Sequence, residues 1–308
     1  MVYAGRAGER GMALLLVLAS VIILALIVGG LWEASEPGWE ESSLRRAEYQ
    51  AGMLAESGLV VAMHPEIEPG DAALRFRFDE NRDYEVLITS EGARIPVNSL
   101  TEAPWRDATT ELFVSWGMDA ASASRAVDSL ADWIDEDGEV LSNGAENAFY
   151  AGLQHPEYPL NEPFTSLEQM LFVAGMDVVA RKQPLWRDYF TIFSDGLVDL
   201  NAASWEVVSA ITGATYDSAL NFVSVRNGDD GIAGTIDDYV FDDVGEVQAV
   251  LGISDSEWGE ISSLVSLVPG IRRIESTGRI GEFRETRVIL ARESGNEFTV
   301  LARFRNGG

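Results

Sequence analysis

The most pronounced feature of the hydrophobic pattern is an uncharged stretch near the start of the chain. Residues 12–32, MALLLVLASVIILALIVGGLW, contain no charged side chain. At a rise of about 1.5 Å per residue, a helix of this length matches the roughly 30 Å of bilayer hydrocarbon. Arg6 and Arg10 precede the stretch, and Glu33 and Glu36 follow it, so the positive-inside rule predicts one span with a cytoplasmic N-terminus. A cleaved secretory signal is the alternative, but its apolar region is shorter, about 7–15 residues.

After the apolar stretch, the pattern predicts a helix that leads away from the membrane. Apolar residues recur there at spacings of three and four, the repeat of one helix face. They are Leu44, Ala47, Ala51, Leu54, Ala55 and Leu59. Residues 12–65 are therefore predicted to form a transmembrane and stalk helix.

Strand-like alternation appears in two distant parts of the chain. LRFRFD and YEVLITSE predict two strands joined by a turn at Asn81 and Arg82, and TRVILAR and EFTVLARFR predict a hairpin around residues 294–296. The segments between these two parts have helical periodicity. We therefore predict an α+β fold in which residues 66–103 and 270–308 form an antiparallel sheet on the stalk helix. A helical insertion, residues 104–269, splits this sheet.

Composition narrows the classes of function. The 308 residues include 50 acidic and 22 basic side chains, a formal charge of −28, with two histidines and no cysteine. Such acidity opposes nucleic-acid binding, because a binder must replace the counterions of phosphates with positive charge. The missing cysteine excludes disulfides, thiolate zinc sites and cysteine nucleophiles. His64 and His155 belong to no paired-ligand motif.

The acidic run at residues 132–150 is a candidate cation site. With Asp135 as position 1 of a twelve-residue calcium loop, Asp137 falls at position 3, Glu139 at 5 and Glu146 at 12. Valine stands at position 6, where an EF-hand has glycine, so the loop is only similar to an EF-hand. Oxygen donors favour calcium over zinc. The residues by themselves leave calcium binding and a solvated acidic loop equally open.

Residues 229–246 form a second acidic run, for which a solvated loop is favoured over a second calcium site. Residues 197–226 resemble a helix-hairpin-helix, with Asn201 as helix cap and a turn at Gly213. Because that turn lacks a second glycine and any base, we predict packing against protein, with a role in DNA uptake as the minor alternative. Paired acids also serve glycosidases, but no aromatic-lined cleft is indicated, so we predict no enzyme.

The N-terminal motif resembles the type IV pilin and pseudopilin superfamily. A short basic leader ends in glycine in the sequence GERGMALLLVLAS. The resemblance implies a leader at residues 1–11, which prepilin peptidase removes by cutting between Gly11 and Met12. Most members carry glutamate at the fifth mature position, whereas this chain has Leu16. The minor pseudopilin K family of the type II secretion system typically shares this departure.

The rest of the chain is similar to that family over most of its length. The similar stretches are RIPVNSL, ADWIDEDGEVLSNGAENAFY, FTSLEQMLFVAGMD and DGLVDLNAASW. Gln169 and Asp199 depart from the family pattern, which has Glu and Asn at these places. The signature around DWID is intact.

The resemblance implies a non-enzymatic pilin-like subunit of the bacterial inner membrane, with its main domain in the periplasm. Its implied place is the tip of the pseudopilus, where it nucleates the fibre with the minor pseudopilins I and J for export across the outer membrane. It also implies bound calcium, with Asp135, Asp137 and Glu146 as first candidate ligands, followed by Asp132 and Glu139. The alternative is a single-pass, membrane-anchored calcium-binding interaction protein that forms no fibre. No nucleic-acid partner is expected in either case.

Overall fold

The computed structural model describes the backbone of residues 7–295 and 297–306, and the side chains within 17–18, 20–26, 44–295 and 297–305. Its α-helices are α1 (Ala7–Ala62), α2 (Ala103–Ser115), α3 (Ala120–Ile134), α4 (Asn147–Gly152), α5 (Met176–Lys182), α6 (Trp205–Thr212), α7 (Tyr216–Arg226), α8 (Val244–Leu251) and α9 (Asp255–Ile261). Its strands are β1 (Arg75–Asp79), β2 (Arg82–Ser90), β3 (Ile95–Pro96), β4 (Phe190–Thr191), β5 (Val198–Asp199), β6 (Val265–Ser266), β7 (Arg272–Ile280), β8 (Phe283–Ser294) and β9 (Glu297–Asn306).

The C-terminal half of α1 lies on one face of a five-stranded antiparallel sheet. The strand order is β1-β2-β7-β8-β9. Ala51, Ala55 and Ala62 are fully buried, and their small side chains let the helix come close to β7. At Gly278 of β7 a Cβ atom would overlap the backbone oxygen of Ala51. The close contact between helix and sheet therefore depends on small residues on both elements.

This close approach gives a prediction for Gly278→Ala. The added methyl must push α1 away from β7, and overpacking of this kind costs about 1–3 kcal/mol. We expect a lower midpoint of thermal unfolding, measured by circular dichroism on the full chain in detergent micelles. Gly259→Ala is the matched control, because nothing lies within 4 Å of a Cβ placed there. Equal midpoints for both variants would show that the contact tolerates a side chain.

The sheet is assembled from two segments that are far apart in sequence. β2 and β7 pair antiparallel along nine residues, from Arg82 opposite Ile280 to Ser90 opposite Arg272. The helices α2 to α9 and the short strands β3 to β6 lie between them in the chain. The predicted fold class is confirmed: a long N-terminal helix, an antiparallel sheet and a large helical insertion. The predicted hairpin of the last two strands and the turn between β1 and β2 are also present.

The insertion stands at the C-terminal end of α1. Along α1, Ala51 faces Gly278 and Gly58 faces Ser276, so α1 advances toward the start of β7. The insertion joins the sheet at that same end, where Ser90 pairs with Arg272. The junction of insertion and sheet is thus at the end away from the N-terminal apolar segment, and the loop of residues 230–236 reaches back along the sheet toward Arg75 and Thr277.

A buried glutamate ties the insertion to the sheet. Glu91 follows β2, and its side chain accepts hydrogen bonds from Arg94 (3.1 Å), from Arg273 of β7 (3.1 Å) and from the Thr191 hydroxyl of β4 (2.6 Å). Because Glu91 is 4% exposed, these charge-assisted bonds are shielded from water and salt. The core of the insertion itself is aromatic, with Trp105, Trp133, Trp186, Phe113 and Phe190 buried.

The predictions for the N-terminus fall on a part of the chain that the structure describes incompletely. The side chains of Gly11, Met12 and Leu16 lie outside the described residues, as do many of those in the span predicted at 12–32. Among the residues that are described, the helices include none that is sufficiently long and apolar to cross a membrane. The leader, its cleavage site and the span therefore stay predictions.

Candidate functional site

The candidate site begins at the end of α3. Asp119 caps this helix, accepting a hydrogen bond from the Ser122 amide. The last turn is buried: Asp132 is fully buried and Trp133 is 1% exposed. Trp133 packs among the rings of Tyr150, Tyr158 and Phe164. This packing holds the backbone on both sides of Asp132 in a fixed position.

The loop after α3 folds back onto the helix it has just left. The Leu141 amide donates to Asp132 Oδ1 at 3.1 Å, and the amide and side chain of Asn143 both donate to Asp128 Oδ2 at 3.0 Å. At Gly144 a Cβ atom would overlap the Asp132 carboxylate. The loop therefore needs glycine there to bring residue 146 next to α3.

Three carboxylates, one in the last turn of α3 and two after that helix, have buried oxygens that lack hydrogen-bond partners. The oxygens are Asp132 Oδ2, Asp135 Oδ1 and Glu146 Oε1. Asp132 is fully buried and Glu146 is 8% exposed. A buried ionised oxygen without a hydrogen-bond partner destabilises the folded protein. A bound cation or a proton removes this cost.

The electrostatic effect of this crowding appears in the pKa values. Burial raises the pKa of Asp135 to about 6, with further contributions from the charges of Asp137, Asp132 and Glu146. Burial also raises the pKa values of Asp132 and Glu146, which backbone amides partly offset. These mutual effects place the four carboxylates within interaction range of one another. Burial and crowding of this kind disfavour the ionised carboxylates unless positive charge lies nearby.

The fold brings together some of the predicted residues and leaves others apart. Asp132, Asp135, Asp137 and Glu146 form the coupled group just described. Glu139 is exposed, and its backbone amide donates to Asp137 Oδ1 at 2.8 Å. Its role as a ligand stays a prediction that nothing in this geometry favours.

One residue that the sequence did not indicate lies at the site. Asn161 comes from the loop before the α5 region, and its side-chain nitrogen donates to the Asp137 carbonyl at 2.7 Å. Its side-chain oxygen is buried and has no hydrogen-bond partner. Asn161 has a left-handed backbone, with φ of 52°. A single asparagine in YPLNEPF carries no ligand motif, so only the fold could show its position.

The residues present fit an oxygen-preferring cation by their chemistry. In the described residues, no group of three or more His, Asp or Glu side chains is arranged to hold a metal ion. The unpartnered oxygens of Asp132, Asp135, Glu146 and Asn161 are all hard donors. Calcium accepts six to eight such ligands in flexible geometry, whereas zinc prefers nitrogen and sulfur. The donor set therefore suits calcium.

The second acidic run differs because its central carboxylates already have partners. Asp237 Oδ2 accepts hydrogen bonds from the amides of Asp229 (2.8 Å) and Asp230 (3.1 Å), and Thr235 donates to Oδ1 at 2.9 Å. These bonds lower the pKa of Asp237. The Gly234 amide donates to Asp238 at 2.6 Å. The geometry favours a self-bonded acidic loop over a second calcium site.

The helix-hairpin-helix resemblance corresponds to α6, a left-handed Gly213 and α7. The predicted cap Asn201 is wrong: Ser204 caps α6, accepting from the Val207 amide. Asn201 instead donates to the carbonyls of Phe241 (2.8 Å) and Leu267 (2.9 Å), because it precedes the helix by a full turn. Residues 201–204 thus tie this unit to the rest of the insertion, as expected for packing against protein.

Comparison with known proteins identifies similar sequences and a similar fold. The sequence profile described as "Type II secretion system (T2SS), protein K" matches residues 93–184, which include the candidate site. Type II secretion system protein K of Dickeya chrysanthemi is 36% identical over 75 residues, or 24% of this chain and 20% of that protein. The Klebsiella pneumoniae protein of the same name is 22% identical over 243 residues, or 71% of this chain and 73% of that protein.

The fold comparison covers more of the chain. A chain of the crystal structure of the GspK-GspI-GspJ complex from the enterotoxigenic Escherichia coli type 2 secretion system superposes with a TM-score of 0.61. The match covers 90% of this chain and 99% of that chain at 17% identity. At this identity the match concerns the fold alone. Profile, relatives and fold all show similarity to type II secretion system protein K, and residues 93–184 match the sequence profile of that protein.

Proposed function

We propose that this chain is a minor pseudopilin at the tip of a type II secretion pseudopilus, where it nucleates fibre assembly with the minor pseudopilins I and J. The observation that carries the proposal is the architecture: a long helix, an antiparallel sheet and a helical insertion, similar over 90% of the chain to a chain of the GspK-GspI-GspJ complex. The assembled fibre would serve protein export across the outer membrane.

The position of the insertion supports a place at the tip. In a fibre built from N-terminal helices, each subunit is followed by the next along the helix direction. Here the insertion stands at the C-terminal end of α1, beside the junction of Ser90 and Arg272. A further subunit placed beyond this end of α1 would collide with the insertion. Leu16, in place of the usual acid, suits a first subunit that has no predecessor to contact.

We also propose that calcium binds among Asp132, Asp135, Asp137 and Glu146, with Asn161 as a further oxygen donor. The buried oxygens without partners support this assignment, as do the carboxylate pKa values, which burial raises first and the neighbouring acids raise further. A bound cation would neutralise the repulsion and fix the loop between α3 and α4. Its role would be structural, holding the surface of the insertion in one conformation.

Co-purification tests the assembly proposal. The full chain is expressed in membranes with the I and J pseudopilins, extracted in detergent, and captured through a tag on the J protein, in calcium or in EDTA. We expect a stable complex of all three proteins that survives size-exclusion chromatography in calcium. If the chain fails to join I and J in either condition, the tip proposal is wrong.

Mass spectrometry of the mature N-terminus separates the two candidate functions. A chain that begins at Met12 supports processing by prepilin peptidase and hence the pseudopilin. An intact Met1 supports the alternative, a single-pass calcium-binding interaction protein that stays anchored. Gly11→Ala is expected to block the processing and serves as the size standard for the uncut chain.

A further inference from the structure

The first strand of the sheet has one free edge. β1 is the outermost strand and pairs with β2 alone among the described residues. All five of its residues are exposed, and the strand contains no proline. The Arg75 N–H donates to the Ala72 carbonyl. The other backbone groups on the outer side of the strand are available to pair with another strand, the usual way in which a sheet edge binds an extended peptide.

The sheet face opposite α1 carries a row of positive charge at this edge. Cross-strand register places in one row Arg77, Asp83, Arg279 and Arg284. Asp83 pairs with Arg279, whereas Arg77 and Arg284 have no ionic or hydrogen-bond partner in the described part of the chain. Arg279 and Arg284 lie directly opposite each other, and like charges placed in this way destabilise a sheet. An anion bound beside the row would reduce this repulsion.

A shallow cavity of about 390 Å³ lies over this edge. Its charged lining consists of four arginines and two acids, Arg75, Arg77, Arg279 and Arg284 against Asp83 and Glu85. Arg75 pairs with Glu85 at 2.9 Å. The chain as a whole has a formal charge of −28. Because physiological salt screens charges farther apart than about 8 Å, the arginines of this surface still attract an anion that comes close to them.

The other face of β1 is aromatic. Phe76 and Phe78 are 50% and 51% exposed, and their ring centroids are 4.7 Å apart. Phe76 lies opposite Tyr84, on the face of the sheet that α1 covers. β1 therefore presents arginine on one face and phenylalanine on the other, in strict alternation from Arg75 to Phe78.

We propose that β1 binds an extended segment of a partner polypeptide that alternates acidic and apolar residues, which adds a sixth strand to the sheet. Opposite charges and aromatic–apolar pairs are the cross-strand neighbours that stabilise a sheet. Side chains two residues apart on a strand are about 6.7 Å apart, so two carboxylates of such a segment meet Arg75 and Arg77 together. A second copy of this chain is a poor occupant, because pairing of β1 with β1 sets arginine beside arginine.

Fluorescence anisotropy with synthetic peptides tests the proposal on the full chain in detergent micelles. The probe is a fluorescein-labelled nonapeptide of alternating glutamate and valine. We expect it to bind, and we expect the lysine–valine counterpart not to bind. A glutamate–valine peptide with N-methyl groups on alternate residues keeps the charge but cannot pair as a strand on that edge, and we expect at least about fivefold weaker binding.

Variants identify the edge. Arg75→Glu combined with Arg77→Glu replaces two attractive pairs by repulsive ones, and we expect at least about fivefold weaker binding of the glutamate–valine peptide. Arg181→Glu is the control, since Arg181 is exposed on α5 and, among the residues that the structure describes, pairs only with Asp177. Circular dichroism checks that each variant is folded, and Arg77→Lys, which keeps the charge, should retain most of the binding.

Three results would overturn the proposal. One is no binding of the glutamate–valine peptide at millimolar concentration. Another is equal binding by the double variant or by the N-methylated peptide. The third is binding to phosphatidylglycerol vesicles that the double variant loses while no peptide binds, which would assign the arginines to a lipid surface. None of these results depends on calcium or on the place of the chain in a fibre.

Discussion

Calcium is expected to raise the midpoint of thermal unfolding of the metal-free protein by about 5–10 °C. A ligand present at one hundred times its dissociation constant stabilises the folded state by about 2.7 kcal/mol, and a domain of 150–250 residues gains roughly 2–4 °C per kcal/mol. The physical reason is the set of buried, unpartnered oxygens on Asp132, Asp135 and Glu146. Differential scanning fluorimetry of the full chain in detergent, with EDTA and then with excess calcium, measures the rise.

Substitutions at the site distinguish the ligands that the sequence predicted from those that the fold brings together. Asp135→Asn and Glu146→Gln should each remove most of the calcium-induced rise, and Asn161→Ala should reduce it. Glu139→Gln should leave it unchanged, because Glu139 is exposed and outside the coupled group. Asp242→Asn, an exposed acid of the second run, is the matched control.

The calcium-induced rise should also depend on pH. The pKa of Asp135 is raised to about 6 in the metal-free protein, so below that pH calcium must displace a proton to bind. The rise is therefore expected to be smaller at pH 5 than at pH 7.5. A rise that is equal at both pH values, or one that Asp135→Asn and Glu146→Gln retain, would contradict the assignment of the site.

The second large effect is expected for Arg226→Met. Arg226 is 3% exposed and donates to the carbonyls of Leu200 (2.9 Å) and Ala203 (2.7 Å). Burial lowers its pKa to about 10, which the nearby charge of Asp199 partly offsets. Removing the guanidinium takes this donor away from the carbonyls of Leu200 and Ala203, and it removes a positive charge from the vicinity of Asp199, itself 3% exposed. A buried acceptor that loses its partner costs about 1–3 kcal/mol.

We expect Arg226→Met to lower the unfolding midpoint by roughly 10 °C, measured by circular dichroism in calcium. The control is Arg181→Met, whose exposed pair with Asp177 is worth only about 0–1 kcal/mol. Adding Asp199→Asn to Arg226→Met should recover part of the loss, because no uncompensated charge then stays buried. A midpoint for Arg226→Met equal to that of the control would show that the buried guanidinium is not needed.

Features that depend on near neighbours in sequence were predictable. Alternating residues in RFRFD and YEVLITS predicted β1 and β2, and the spacing of Ala51, Ala55 and Leu59 predicted the buried face of α1. The hairpin of β8 and β9 followed from two alternating runs around a glycine. In each case the interacting groups are a few residues apart, so the pattern itself carries the information.

The N-cap of α6 could not be assigned from the neighbouring sequence alone. Asn201 and Ser204 are both good helix caps, and only the backbone path decides between them. The Asn201 side chain donates hydrogen bonds to the carbonyls of Phe241 and Leu267, which are forty and more residues away along the chain. The helix therefore starts after Ser204. A residue type that serves two purposes cannot be assigned without its distant partners.

The sequence by itself determined the chemistry available to this protein: an acidic chain without cysteine, a helix followed by two separated pairs of strands, and oxygen donors in the run from Asp132 to Glu146. Only the tertiary structure decided which of these groups meet. The loop folds back through the bond from Leu141 to Asp132, which brings Glu146 and the distant Asn161 to the site and leaves Glu139 in solvent. Such contacts join residues separated by many positions, and no local periodicity records them.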